Sequence, residues 1–296
     1  MLEHKKIQNL SDYFVELNSR REKGVYFYRI NGYSEEVGEF IKKYYDTARR
    51  TGVVIEGKIP NPDEGNLAYY NEIMGMDFQM SMDFIHVSLR KWLPRMNEFQ
   101  RQNVAASIYD SLDSLRKAGK TENMLRNAYI KFMCWLYYKF ERIVNQLGEN
   151  HIPKILYEGQ ISNYELMLIS ILSNAGCDVV LLQYAGDQGY LKTDPGSVLS
   201  DSLQMEGLQP FPQGYCVKKV RDEIQNELNN ERLYGIRPSL TDCTNAWIKG
   251  NGLDDIRESI LLREMTAAFF ITVSAGLTGQ KISLLMQMSY SDCSRN

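Results

Sequence analysis

Apolar and polar positions change period several times along the chain, and each change marks an element. Gly24-Val25-Tyr26-Phe27-Tyr28-Arg29-Ile30 is rich in aromatic and β-branched residues and stops at Asn31-Gly32, the pattern of a strand running into a turn. Ser34 stands where a helix cap belongs, and the helical pattern after it runs to Arg50 and stops at Gly52. Val53-Val54-Ile55 then begins another short strand. Strand, helix and strand together span about thirty residues, the size of a βαβ crossover. Upstream, residues 5–22 are charged and amphipathic and predict a helical lead-in.

After a loop at Ile59–Asn66, marked by its Pro, Gly and Asn content, the pattern is helical from Leu67 to Leu147. Pro94 and Gly119-Lys120 divide it into at least three pieces. The last piece, Glu122–Leu147, is apolar on nearly every face, through residues such as Tyr129, Phe132, Trp135 and Phe140, which predicts a buried central helix. Lys131, Lys139, Glu141 and Arg142 interrupt it too often for a membrane helix. Beyond Gly148, Lys154–Tyr157 reads as a strand, Ser162–Asn174 as a helix closed by Gly176, and Asp178–Gln183 as a second strand. The unbroken apolar run of that strand predicts burial on both faces. A helix over Val217–Leu233 follows. The fold class is therefore α/β, with Rossmann-like βαβ units at 1–60 and 151–215 around a large helical middle section at 61–150.

Composition narrows the functional classes. Hydrophobic residues make up 44% of the 296 residues, enough for a sizeable core. A net charge of −3 argues against a protein that grips nucleic acid backbones. The five cysteines have no close pair among them, which fits neither a disulfide framework nor a zinc site. The amino-terminal residues show no apolar signal segment. The most apolar run, Phe132–Tyr138, is far short of the ~20 residues needed to span a bilayer. The expected setting is the reducing cytoplasm, with no membrane span.

The strongest candidate chemistry lies in the loop Glu158-Gly159-Gln160-Ile161-Ser162-Asn163, which leaves a strand and enters a helix. In open α/β sheets ligands bind there, where backbone N–H groups and the helix dipole favour an anion. Glu158, Gly159, Gln160 and Ser162 are the candidate ligand-binding residues. Ser162 and Glu165 also stand in the S-x-x-E spacing of a capping box, which explains the same residues without a ligand. Asp187, in the loop after the next strand, would face the same crevice; it and Asp194 offer carboxylates for a ribose hydroxyl or a cation, or simply shape turns. Arg29, at the end of the first strand, offers a guanidinium to a phosphate, or makes a structural salt bridge. The three histidines, His4, His86 and His151, share no motif. The stretch Gly276–Lys281 lacks the spacing of a phosphate-binding loop. No cofactor and no catalytic constellation is legible.

Several of these stretches resemble the YceG-like family. They are Tyr28-Arg29-Ile30-Asn31-Gly32, Lys91-Trp92-Leu93-Pro94-Arg95, the run from Asn127 to Glu141, and the βαβ unit from Pro153 to Asp187. The likeness extends in register over residues 24–263. It implies a component of a stress-linked biosynthetic module found beside tellurium-resistance genes, with no substrate defined. Combined with the crevice, it implies a nucleotide or nucleotide-sugar ligand; with the helical bulk, it implies instead a scaffold that binds other stress-operon proteins. Members of that family look duplicated, which makes residues 1–215 an N-terminal copy and 216–263 the start of a second. The pattern is lost after Arg263. Read one base out of phase, the tail at 264–296 decodes to an Arg-Ile-Asn-Gly-like segment at Ala275–Thr278, so it is either frameshifted or a divergent ending.

Overall fold

The computed structural model describes residues 2–60, 67–148 and 152–234. The loop at 61–66, His151, and the expected second copy and tail beyond 234 lie outside the described residues. The chain divides into two compact units, Met1–Ile224 and Gln225–Asn296, and everything that follows concerns the first. It is a mixed α/β unit built on one five-stranded sheet, in the order β2-β3-β4-β1-β5. The strands are β1 (Phe27–Ile30), β2 (Val53–Glu56), β3 (Lys154–Glu158), β4 (Asp178–Leu182) and β5 (Asp201–Ser202). Every pairing is parallel.

Helix α1 (Glu35–Thr51) carries the chain from β1 to β2, with Ser34 accepting from the Val37 amide and Gly52 closing it. A Cβ at Gly52 would sit 1.8 Å from the Lys154 carbonyl oxygen, so only glycine lets the chain turn there. The two strands are not neighbours, however: β3 and β4 lie between them. The central position falls to β4, whose Asp-Val-Val-Leu-Leu run is buried throughout, while β2, ending in the exposed Glu56, is an edge.

Alternation along the strands sorts side chains between two cores. Tyr28, Ile30, Leu156, Val180 and Leu182 pack with α1 on one face. Phe27, Ile155, Tyr157, Val179 and Leu181 pack on the other with α4 (Glu98–Lys117), α5 (Glu122–Trp135) and α7 (Asn163–Ala175). The crossover from β1 to β2 runs one way across the sheet on the α1 face. Those from β2 to β3 and β3 to β4 run the opposite way on the opposite face. Reversing both direction and face keeps one hand. Adjacent strands β1 and β4 thus send their connections apart, and the crevice of such a sheet lies at their carboxyl ends.

The helical section holds α2 (Leu67–Met74), α3 (Met82–Trp92), α4, α5, a π turn (Leu136–Phe140) and α6 (Glu141–Val144). The breaks near Pro94 and Gly119 are where the sequence puts them. A further break at residues 75–81 is not, and it ends where the Ser81 hydroxyl caps α3 by accepting from the Phe84 amide at 3.2 Å. Trp135 is buried, as are Tyr129, Phe132 and Phe140. No helix of the described residues is long and apolar enough to cross a membrane.

The lead-in at 5–22 is not the helix its pattern predicts. It contains two short 3-10 turns, Leu10–Phe14 and Leu17–Ser19, in an otherwise extended path. Tertiary bonds outweigh its local preference. The Lys5 amide donates to the Val25 carbonyl at 2.9 Å, and the Val25 amide to that of Glu3 at 3.0 Å. The Tyr13 hydroxyl donates to the Val179 carbonyl at 3.0 Å. The Arg20 guanidinium grips the buried Asp178 carboxylate with two bonds, at 2.9 and 2.5 Å, and Lys154 Nζ approaches the same carboxylate at 2.5 Å. Burial holds the Lys154 ammonium below its ordinary pKa, opposed by the attraction of Asp178.

Candidate functional site

At the carboxyl end of the sheet, the charged candidate side chains and Ser162 already have tasks. Ser162 caps α7 in a complete capping box: its hydroxyl accepts from the Glu165 amide at 3.4 Å, and the Glu165 carboxylate accepts from the Ser162 amide at 2.9 Å. The other oxygen of Glu165 accepts from the Ile59 amide at 2.7 Å, tying the loop after β2 to the same helix. The box satisfies two amides that a helix terminus leaves open. Gly159 has φ +103°, in the region that favours glycine, and a Cβ there would lie 3.3 Å from Gly57 Cα.

Glu158 faces the other way. Register partners across a parallel sheet share a face, and Glu158 is aligned with Leu182 on the α1 side. There one of its oxygens accepts both the Tyr184 hydroxyl, at 2.7 Å, and the Val217 amide, at 2.8 Å. The second bond caps the first turn of α9 (Val217–Tyr234) with a negative charge. Burial first, and the Glu158 carboxylate second, push the Tyr184 hydroxyl well above its ordinary pKa. Tyr184 also packs against Phe211 and Tyr215, ring centres 4.9 and 5.7 Å away, and Tyr33 joins them at 5.8 and 5.3 Å. These four rings occupy the ends of β1 and β4. The Tyr33 carbonyl accepts from the Gln209 amide, and the Tyr33 amide donates back, at 2.9 and 2.6 Å. The chain's own segment is therefore laced to this end of the sheet.

Arg29 and Asp187 meet each other. The guanidinium donates through Nε and Nη2 to the two Asp187 oxygens, both at 3.0 Å, a forked pair. Its remaining nitrogen donates to the Ser200 carbonyl and hydroxyl at 2.5 and 2.8 Å. The Tyr190 ring lies 4.1 Å beneath it. The Tyr190 hydroxyl accepts from Ser200 and donates to Asp194, at 2.7 and 2.9 Å. Asp194 in turn accepts the Val198 and Leu199 amides at 3.1 and 2.9 Å. Arg29 is aligned with Leu181 and so points to the face opposite Glu158. The six candidate residues are thus divided between two faces of the sheet. Gln160, at the loop tip, is exposed.

Sequence reasoning missed Tyr184, Tyr190, Ser200 and Gln183, whose side chain donates to the Gly159 carbonyl at 3.4 Å. Little local marks them: Tyr184, Gln183 and Ser200 bond to partners far off in the chain, and only the Tyr190–Asp194 bond is local. Among the described residues there is no group of three or more His, Cys, Asp or Glu side chains placed to hold a metal ion. Cys134 and Cys177 are free and buried, and burial raises the Cys134 thiol to about 11, which leaves it a thiol at neutral pH. His4 is held against Phe27 and shares a 3.0 Å hydrogen bond with the Ser173 hydroxyl; His86 pairs with Glu98 at 2.8 Å.

A parallel sheet with helices on both faces, its charged side chains at the carboxyl end bonded to one another, defines the class of this α/β protein. Residues 5–227 match the YceG domain, and the chain belongs to that family. No curated protein matches it, and no solved structure does.

Proposed function

We propose that the protein is a non-catalytic interaction component of a stress-linked, tellurium-resistance-associated biosynthetic module, and that its helical section carries the binding. The observation that supports this reading is the commitment of the sheet's carboxyl end. Arg29, Asp187, Glu158 and Ser162, the groups best suited to hold a phosphate or a ribose, are bonded within the chain. Releasing Arg29 to a ligand would leave Asp187 and Ser200 without their donor, at a cost that a phosphate contact must first offset. The alternative, a crevice for a nucleotide or nucleotide-sugar, draws on the exposed Gln160 and the start of α7.

Two measurements on the full chain decide between them. Co-expressed with the proteins encoded beside it, the chain is expected to co-elute with at least one of them in size exclusion. Its melting temperature is expected to stay unchanged with ATP, GDP or UDP-glucose. A ligand at a hundred times its dissociation constant adds about 2.7 kcal/mol of stability. A melting shift of that size, lost in Gly159→Val and accompanied by no assembly, would overturn the interaction reading.

A further inference from the structure

The break between α2 and α3 has a composition of its own. Four methionines, Met74, Met76, Met80 and Met82, fall within nine residues there, interleaved with Asp77, Phe78 and Asp83. The segment folds back over α3 and leaves a groove of about 450 Å³. Met76, Phe84 and Val87 line it with apolar surface, and Val87 is 64% exposed. Methionine side chains are unbranched and polarizable and repack around varied apolar surfaces, which suits them to binding faces.

The polar atoms of the groove point to what it takes. Asp77 and Asp83, both exposed, form no ion pair among the described residues. The one lysine in the lining, Lys91, is already neutralised by Glu72 at 2.9 Å. Arg126, close by, is turned onto the Met74 carbonyl. The rim is therefore acidic. In the lining, Ser88 is 1% exposed, and its hydroxyl faces that of the buried Tyr129; neither bonds any other group among the described residues.

We propose that this groove is a docking site for a basic amphipathic helix of a partner protein, its apolar face against Met76, Phe84 and Val87 and its lysines or arginines against Asp77 and Asp83. Apolar side chains flanked by cations match an apolar floor with an acidic rim, and an amphipathic helix laid in a groove is a recurrent way to recognise a peptide. The inference rests on the interaction reading above and adds where the partner binds and what it looks like.

The test uses the full chain with methionine methyls carbon-13 labelled and the Met76 signal assigned through Met76→Leu. Three synthetic 18-residue peptides serve as probes: a leucine–lysine amphipathic helix, the same pattern with glutamate for lysine, and the leucine–lysine composition scrambled. The first is expected to bind and shift the Met76 methyl, and the other two are not. The double variant Asp77→Lys, Asp83→Lys, with both changes at exposed positions, is expected to melt slightly below the wild type, because the second change sets a cation in the first turn of α3, and to weaken binding by about tenfold or more. Added salt is expected to weaken binding to the wild type. Equal binding of the glutamate peptide, an unaltered affinity in the double variant, or shifts confined to other methyls would overturn the proposal. If neighbouring proteins assemble equally well with the wild type and the double variant, the interaction reading stands and the groove proposal falls. If the lysine peptide binds as expected and no neighbour assembles, the groove stands and the interaction reading falls.

Discussion

Around Asp178, at the amino end of the sheet, four donors converge on one buried carboxylate: two nitrogens of Arg20, the Tyr26 amide and Lys154 Nζ. Around Ser88 and Tyr129, in the helical section, two buried hydroxyls have only each other among the described residues. The difference is general. Five further buried side-chain polar atoms lack a hydrogen-bond partner among the described residues, and all five fall between Trp92 and Asn145. Native structures leave few such atoms, because each costs about 1–3 kcal/mol. Charged groups of the sheet are paired across the chain, and the unpaired buried polar atoms fall in the helical section.

The largest expected effect is on the sheet side of this comparison. Asp178→Ala leaves Arg20 and Lys154 buried without a counter-charge, and is expected to cost about 3–5 kcal/mol in urea denaturation. A loss under about 1 kcal/mol would mean that the charge cluster is not the closed network its geometry describes.

A matched pair of substitutions separates the two regions directly. The Tyr44 hydroxyl donates towards the Asp178 and Ile155 carbonyls, at 2.9 and 3.3 Å, so Tyr44→Phe is expected to cost about 1–3 kcal/mol. Tyr129→Phe removes a hydroxyl whose one polar neighbour is the Ser88 hydroxyl, and is expected to cost less than about 1 kcal/mol. Equal losses from the two would erase the contrast.

The smallest effect concerns the cap at the candidate loop. Ser162→Ala is expected to cost about 1 kcal/mol through loss of the capping bond. The melt of that variant is expected to respond to nucleotides no differently from the wild type. A ligand response that disappears with Ser162 would instead assign the residue to binding.

Residues with local signals were legible in the sequence. Ser34, Ser162 and Gly52 mark helix ends by chemistry that acts within a few residues, and the capping box at Ser162 and Glu165 is present in full. The candidate site was harder. Its spacing brought Glu158, Gly159 and Gln160 to a strand end, yet alternation sends Glu158 to one face and Arg29 to the other. That division depends on register between strands far apart in the chain, which no local pattern carries. The lead-in misled for the opposite reason: its amphipathic spacing is real, and Arg20 and Tyr13 spend it on bonds to β4.

By itself, then, the sequence determined strands β1 to β4, helices α1 and α7, the α/β class and the buried run through Trp135, because periodicity, capping and composition are local quantities, and its resemblances determined the family. Only the tertiary structure decided that β3 and β4 separate β1 from β2, that Arg29 and Asp187 are partners, and that a groove lined by Met76, Phe84 and Val87 with an acidic rim opens between the break at 75–81 and α3. Each of these depends on which distant groups meet, and the free energy that selects the meeting comes from burial and pairing across the whole core.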